Sequence, residues 1–339
     1  MLNQCRPSRA SRRVAAAAAG VWLDRLLGEP PDPVHPLRGF GALMAIVENS
    51  AYRDTRAAGT CYTASGVVSG ALFGALGGSG TASVAAASYL ACGGRALADA
   101  AAAVGHALAC HDLVEARARA GSLVGRDVAD LDEPALARAA VESVAENTVD
   151  AVIAPLCFAA AAGAPGVLAY RAANTLDALV GYRNPRYERF GWASARLDDL
   201  ANLLPSRLTA LLVALVRPWK APDVVRVVVR DAPGHPSPNA GVAEAAFAAA
   251  LGLRLGGTNT YGGVADERPE IGDGRRATAD DVDRAVRLSY DVGDAAVVLA
   301  LLLAVLLLLL AADRRGRRGR RVRCAGHPDR APAAGPPDR

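Results

Sequence analysis

Uncharged stretches divide this chain into its predicted elements. Residues 295–312, AAVVLALLLAVLLLLLAA, form a continuous uncharged run long enough for one bilayer-crossing helix. From Cys61 to Gly94 there is again no charged side chain, over more than one crossing length. Gly77-Gly78-Ser79-Gly80 sits near its middle, so the pattern predicts two Gly/Ala-rich helices hinged there and packed through small residues. Residues 151–170 are uncharged but interrupted by Pro155, Gly163, Pro165 and Gly166. Interrupted apolar helices are tolerated where they line a protein cavity. The apolar pieces at 14–23 and 208–216 are too short to cross alone. The first follows Arg6, Arg9, Arg12 and Arg13 in the manner of a signal peptide, yet Asp24 and Arg25 close it without a small-residue cleavage site. It reads as the first half of a membrane-entering helix.

The expectation is an all-α, polytopic integral membrane protein with about four to six transmembrane helices and polar Pro/Gly-rich loops. A mobile basic N-terminus over 1–13, one membrane domain over 14–312 and a disordered Arg/Pro-rich tail over 313–339 complete the predicted organisation. Between the apolar runs, GEPPDPVHPLRGFG (28–41) is a proline-fixed loop that can hold His35 and Arg38 in place, or serve as a plain linker. Gly125-Arg126-Asp127 reads as a turn, and Asp132-Glu133-Pro134 as a helix start. Residues 223–230, DVVRVVVR, suit a strand or a helix, and Asp280, Asp281 and Asp283 open an amphipathic helix.

Composition supports the membrane assignment. The chain has 339 residues, 52% hydrophobic but only 5% aromatic, with a mean hydropathy of +0.17. Its formal charge of +4 comes almost wholly from arginine, since Lys220 is the only lysine. Arginine and carboxylates are mixed through most of the chain, which argues against a nucleic-acid-binding stripe. The exception is RRGRRGRRVR in the tail, which the positive-inside rule would place in the cytoplasm of a cell membrane. The six cysteines form no C-x-x-C pair, so neither a disulfide framework nor a zinc site is expected.

Candidate chemistry centres on 138–156, RAAVESVAENTVDAVIAPL. Glu142, Glu146 and Asp150 recur at i, i+4, i+8 with Asn147 beside them, an acidic stripe leading into an apolar segment. Such a stripe suits Mg²⁺ and a phosphorylated ligand, or is a solvated helix face. The nonapeptide AENTVDAVI (145–153) is echoed by AANTLDALV (172–180), which suggests matching helical ends around one site. Arg171, Asn174 and Asp177 share a helical face, as do Arg196, Asp199 and Asn202. Their oxygens suit Mg²⁺ or hydroxyls and their arginines suit phosphate or carboxylate. GYRNPRYERFGW, with Arg183, puts arginines and aromatics on one turn: a clamp for an anionic planar ligand, or an interfacial anchor. His235, Ser237 and Asn239 alternate in a second Pro/Gly loop, and the paired glycines of LGGTNTYGG permit close approach to a ligand. GGSG lacks a following Gly-Lys-Ser/Thr, so it is not a Walker motif.

Taken together, LGEPPDPVHPLRGFG, LVGRDVADL, AVESVAENTVDAVIAPL, AYRAANTLDALVGYRNPRYERFGWASARLDDLANLLPSRL, HPSPNAG and LGGTNTYGG resemble the CobD/CbiB family of cobalamin biosynthesis, adenosylcobinamide-phosphate synthase, across roughly residues 22–290. The resemblance implies a membrane ligase of the corrinoid pathway. It would join a propionate of adenosylcobyric acid to (R)-1-aminopropan-2-ol phosphate, or aminopropanol, as an amide, with ATP and Mg²⁺. On that reading Glu142, Glu146, Asn147 and Asp150 are the catalytic candidates, and Asp150, Asp177 and Asp199 the metal candidates. His35, Arg38, Arg126, Arg171, Asn174, Arg183, Arg196, Asn202, His235, Ser237 and Asn239 are the substrate-binding candidates. Expected partners are these substrates, the lipid bilayer and other membrane enzymes of the pathway. An Mg²⁺-dependent intramembrane transferase and a transporter or scaffold of the same pathway remain rivals. One tension is built in: a single crossing at 295–312 with a cytoplasmic tail puts the HPSPNAG and LGGTNTYGG loops on the side away from ATP.

Overall fold

Polar side chains set where the helices begin. Ser8 accepts from the Ser11 amide at 3.1 Å and opens α1 (Arg9–Leu27), Thr55 caps α3 (Arg56–Leu76), and Asp132 caps α7 (Glu133–Thr148) with Pro134 in its first turn. The computed structural model describes residues 8–31, 35–125, 127–261 and 264–325, with backbone alone over 259–261, 264–266 and 312–325. Arg126 and residues 1–7 and 326–339 lie outside the described residues. Helix α1 starts at Arg9 and the last helix runs to Ala325, so both ends of the expected membrane domain, 14 and 312, fall inside helices. A capping serine extends the first; no glycine or proline turn interrupts the second at residue 313.

The chain is helical almost throughout. After α1 come α2 (Pro36–Ala51), α3, α4 (Thr81–Ala91), α5 (Gly94–Ala109), α6 (Leu113–Leu123) and α7. A π-helical turn, Val149–Ile153, joins α7 without a break to α8 (Ala154–Ala162). Then follow α9 (Ala164–Val180), α10 (Trp192–Val216), α11 (Ala221–Asp231), α12 (Ala240–Leu251) and α13 (Ala279–Ala325). The 223–230 segment is therefore helical: Val224 and Val227 turn inward while Arg226 and Arg230 stay outside. The GGSG hinge separates α3 from α4 as predicted.

One element departs from an all-helical reading. Strands β1 (Leu255–Tyr261) and β2 (Val264–Ile271) form an antiparallel hairpin with an irregularity between Leu255 and Gly257. The LGGTNTYGG motif is thus mostly strand rather than a plain loop.

Among the described residues, three helical stretches are long and apolar enough to cross a membrane: Glu133–Ala162, Trp192–Val216 and Ala279–Ala311. The count of four to six rested on apolar run length, which also takes in the shorter α4 and the Gly-rich α3. On α13 the apolar side chains from Val298 to Leu310 are largely exposed, as expected of a surface that faces lipid.

Small residues bring the helices close. α3 lies along α9 through Gly66, Gly70 and Gly74; a Cβ at Gly70 would stand 2.7 Å from the Leu168 carbonyl. α1 packs against α4, α8 and α13, and α7 against α5, α12 and α13. The main core runs through these helices, and a satellite of Met44, Tyr62, Leu176, Val180 and Phe190 sits between α2, α3 and α9.

Candidate functional site

Three helices enclose a half-buried polar network where an apolar core would be the default. Asp150, in the π-helical turn, faces Arg171 and Asn174 of α9 and Asn202 of α10. The Tyr170 hydroxyl is 3.1 Å from Asp150 Oδ1 and 3.0 Å from Asn202 Oδ1. Arg171 donates to Asn174 Oδ1 at 3.0 Å, and the Asn174 amide donates to Asp198 Oδ1 at 3.2 Å. The Asn202 amide donates to the other Asp198 oxygen at 3.1 Å. Asp177 lies in the field of Asp150 and Asp199; burial first, then those carboxylates, push it up to about 6. Arg171 Nε is buried with no hydrogen-bond partner. A buried donor left unmatched costs about 1–3 kcal/mol, so this guanidinium edge is where an anionic ligand would be bound best.

The network continues toward the hairpin. Asn239, buried at the start of α12, donates to the Asp199 carbonyl at 2.7 Å and accepts from Ser206 and Arg207. Ser237 accepts from the Asn239 and Ala240 amides, so it acts first as the turn that starts α12. His235 accepts from the Ser237 amide at 3.0 Å through Nδ1, while its Nε2 stands 3.7 Å from Glu244 and 3.4 Å from Arg268.

Beside this lies a cavity of about 260 Å³ lined by Leu123, Glu142, Glu146, Asn147, Glu244 and Arg268. Glu142 is buried and accepts from the Gly256 amide at 2.8 Å. Glu146 is exposed at the cavity mouth, and Asn147 donates to the Ser143 carbonyl at 2.9 Å.

The acidic stripe therefore divides instead of forming one ladder. Positions eight apart on an α-helix are already rotated by about 80°. Glu142 meets the hairpin, whereas Asp150 meets α9 and α10. The two halves of the nonapeptide echo do converge, with Asp150 near Asp177. Of the other candidates, His35 caps α2 by accepting from the Leu37 amide, with Nε2 3.8 Å from Glu29. Arg38 is exposed on α2. Arg183 is exposed and reaches the Pro236 carbonyl at 3.5 Å; Arg196 is exposed and pairs with Asp199 at 3.6 Å.

Tyr170, Asp198, Glu244 and Arg268 were missed by the sequence reading. Asp198 had a signal: it stands four residues before Asn202, the spacing of a helical side-chain pair. Asp199, by contrast, completes a helical face with Arg196.

The donors of the first cluster are hard oxygens, the type Mg²⁺ prefers, and one or two of Asp150, Asp177 and Asp198 with Asn174 or Asn202 would hold it. Among the described residues, no group of three or more His, Cys, Asp or Glu stands at metal-binding spacing. Mg²⁺ is commonly held by one or two carboxylates plus substrate phosphates and water, so a site completed by substrate fits this donor set.

A family model described as CobD/Cbib protein matches residues 17–289. The cobalamin biosynthesis protein CobD of Mycobacterium tuberculosis strain H37Rv is 46% identical over 306 residues, covering 86% of this chain and 96% of that relative. The protein of the same name from Geobacter metallireducens is 42% identical over 305 residues, 85% of this chain and 96% of its own. That from Stutzerimonas stutzeri is 44% identical over 281 residues, 80% and 91% of the two chains. No solved structure matches the chain.

Proposed function

This chain is a member of the CobD/CbiB family, and on that premise we propose that it acts in cobalamin biosynthesis as a membrane ligase. It forms the amide between a propionate carboxylate of adenosylcobyric acid and the amine of (R)-1-aminopropan-2-ol phosphate, or of aminopropanol, with ATP and Mg²⁺. The observation that carries this reading is the partly buried Asp150–Arg171–Asn174–Asp198–Asn202 network with an unmatched arginine edge.

Amide formation from a carboxylate needs the carboxylate activated, here as an acyl phosphate made by phosphoryl transfer from ATP with release of ADP, and the amine deprotonated, so that its attack expels phosphate. Arg171 supplies a charge-assisted donor for a carboxylate or phosphate oxygen. Asn174 and Asn202 fix Asp198 through both oxygens, which orients that carboxylate toward the same space. Asp150, which accepts a hydrogen bond from Tyr170, would take the proton of the incoming amine. Bound Mg²⁺ would neutralise phosphate charge. Glu142, Glu146, Glu244 and Arg268 around the second cavity offer hydrogen-bond partners for the amide rim of a corrinoid or for the amine phosphate.

The test is a reaction. Protein purified in detergent is given adenosylcobyric acid, aminopropanol phosphate and Mg-ATP, and the amide product is followed by mass spectrometry. Product formed with ATP consumed, and lost in Asp150→Asn, is the expected result. A folded, corrinoid-binding protein that makes no product with either amine would overturn the ligase reading in favour of a scaffold.

A further inference from the structure

A second polar cavity lies far from the carboxylate network. It encloses about 270 Å³ and is lined by Arg9, Arg12 and Arg13 of α1 and by Ser79, Gly80, Thr81 and Val84. Three arginines thus line one recess, Arg9 and Arg12 exposed and Arg13 half-buried. Among the described residues none of the three pairs with a carboxylate: Arg13 reaches only the Ala161 carbonyl, at 3.5 Å. Three like charges held together without a counter-charge repel one another. Opposite them the first turn of α4 carries no side-chain cap, so its amide groups point into the same space.

The position of the recess narrows the ligand class. Arg25 of α1 pairs with Asp294 and stacks over Tyr290 of α13, 4.3 Å from the ring centroid. From Arg25 back to Arg9, and from Asp294 on to Leu310, the two helices each run about 24 Å at 1.5 Å per residue. Val21 and Val297 line one small cavity, which fixes the two helices as antiparallel neighbours. The recess therefore lies level with the end of the apolar run of α13, at a membrane boundary. Phosphate groups of lipids are concentrated at that depth.

We propose that Arg9, Arg12 and Arg13 with the amino end of α4 form a phosphate-binding site, separate from the carboxylate network. Its ligand is a phosphate group, carried by a lipid headgroup or free in solution. Arginine forks fit phosphate oxygens in pairs, and uncapped helix amides add donors without a conformational change. Arg9, Arg12 and Arg13 precede the 17–289 segment shared with the family, while the α4 residues lie inside it; the site shares no residue with the carboxylate network, so it is tested independently of the ligase reading.

Two variants test it in the full-length protein. Arg9→Gln/Arg12→Gln/Arg13→Gln removes the charge. Gly80→Asp supplies a built-in carboxylate; a Cβ at Gly80 meets nothing within 4 Å, and aspartate is a favoured helix cap, so this variant should fold at least as well. One arm reconstitutes each protein in nanodiscs of phosphatidylcholine and phosphatidylglycerol and measures co-retained phosphatidylglycerol by native mass spectrometry. The other titrates inorganic phosphate in neutral detergent and follows the melting temperature. Phosphatidylglycerol retention that falls about tenfold or more in both variants identifies a headgroup site. A phosphate-dependent rise in melting temperature seen only in the parent identifies a free-phosphate site. If both arms give the same result for the parent and both variants, the proposal is overturned.

Discussion

The Gly256 amide donates to Glu142 Oε1 at 2.8 Å, tying the hairpin to the middle of α7. Both partners are buried, so Glu142→Ala leaves the Gly256 N–H without an acceptor, at a cost of about 1–3 kcal/mol. Glu142→Gln keeps an acceptor and should lose less. Hydrogen exchange of the hairpin amides measures this directly: Glu142→Ala should speed exchange in β1 while Glu142→Gln stays near the parent. Equal exchange in all three proteins would mean that the contact does not hold the hairpin.

Asp198 receives amide hydrogens from both Asn174 and Asn202, yet stands close to Asp150 and Asp177. Such crowding of like charge is a mark of function more than of stability. Asp198→Asn should therefore reduce amide synthesis by about a hundredfold or more while leaving the melting temperature unchanged or raised. Retained turnover would remove Asp198 from the site.

Asp177 gives the site a pH signature. Its carboxyl is held up to about 6 against an ordinary value of 3.8, so between those values the folded protein binds more protons than the unfolded chain. Stability accordingly falls as pH rises through that window, by on the order of 3 kcal/mol for this group, and is level above it. Cation binding runs the other way, because a bound cation favours the carboxylate. Mg²⁺ affinity at this site should increase as pH rises through about 6 and then plateau. Titration calorimetry at successive pH values checks this; Asp177→Asn should flatten the dependence, and an unchanged pH profile would place the cation elsewhere.

The packing of α3 against the turn that precedes α10 carries the next expectation. A Cβ at Gly59 would sit 1.8 Å from the Phe190 carbonyl oxygen, a contact that backbone must move to relieve. Gly59→Ala should lower stability by about 1–3 kcal/mol, read as a drop in melting temperature in detergent. Gly39→Ala, where a Cβ meets nothing within 4 Å, is the control and should be nearly neutral.

Much of this was legible from residue order. Long uncharged runs announce helices because an unsatisfied backbone is costly in lipid, and Asp132-Glu133-Pro134 announced the start of α7. Two things were hidden. The hairpin was hidden because β1 pairs only with residues beyond its own turn, and its glycines read as loop. The split of the acidic stripe was hidden because side-chain spacing gives a face on one helix, not which neighbour that face meets. Tyr170 illustrates the point: only the approach of the π-helical turn and α10 makes it a bridge between Asp150 and Asn202.

The orientation of α13 offers the sharpest test of ATP dependence. The helix is unbroken from Ala279 to Ala325. Arg275 and Thr278, just before its start, hold Asp281 of its first turn on the hairpin side, and the apolar run 295–311 separates that end from the arginine tail. The carboxylate network joins the hairpin side through Asn239, His235 and Arg268. A ligase that draws ATP from the cytoplasm needs this side to face the cytoplasm, which sends the tail across the membrane. The positive-inside rule asks for the reverse. A reporter active only in the cytoplasm, fused after Arg339, decides between them. The ligase reading expects it to be silent there and active when placed between Gly125 and Asp130. A tail reporter active in the cytoplasm, with the inner loop silent, would leave the network without access to ATP and would sink the ATP-dependent reaction proposed for it.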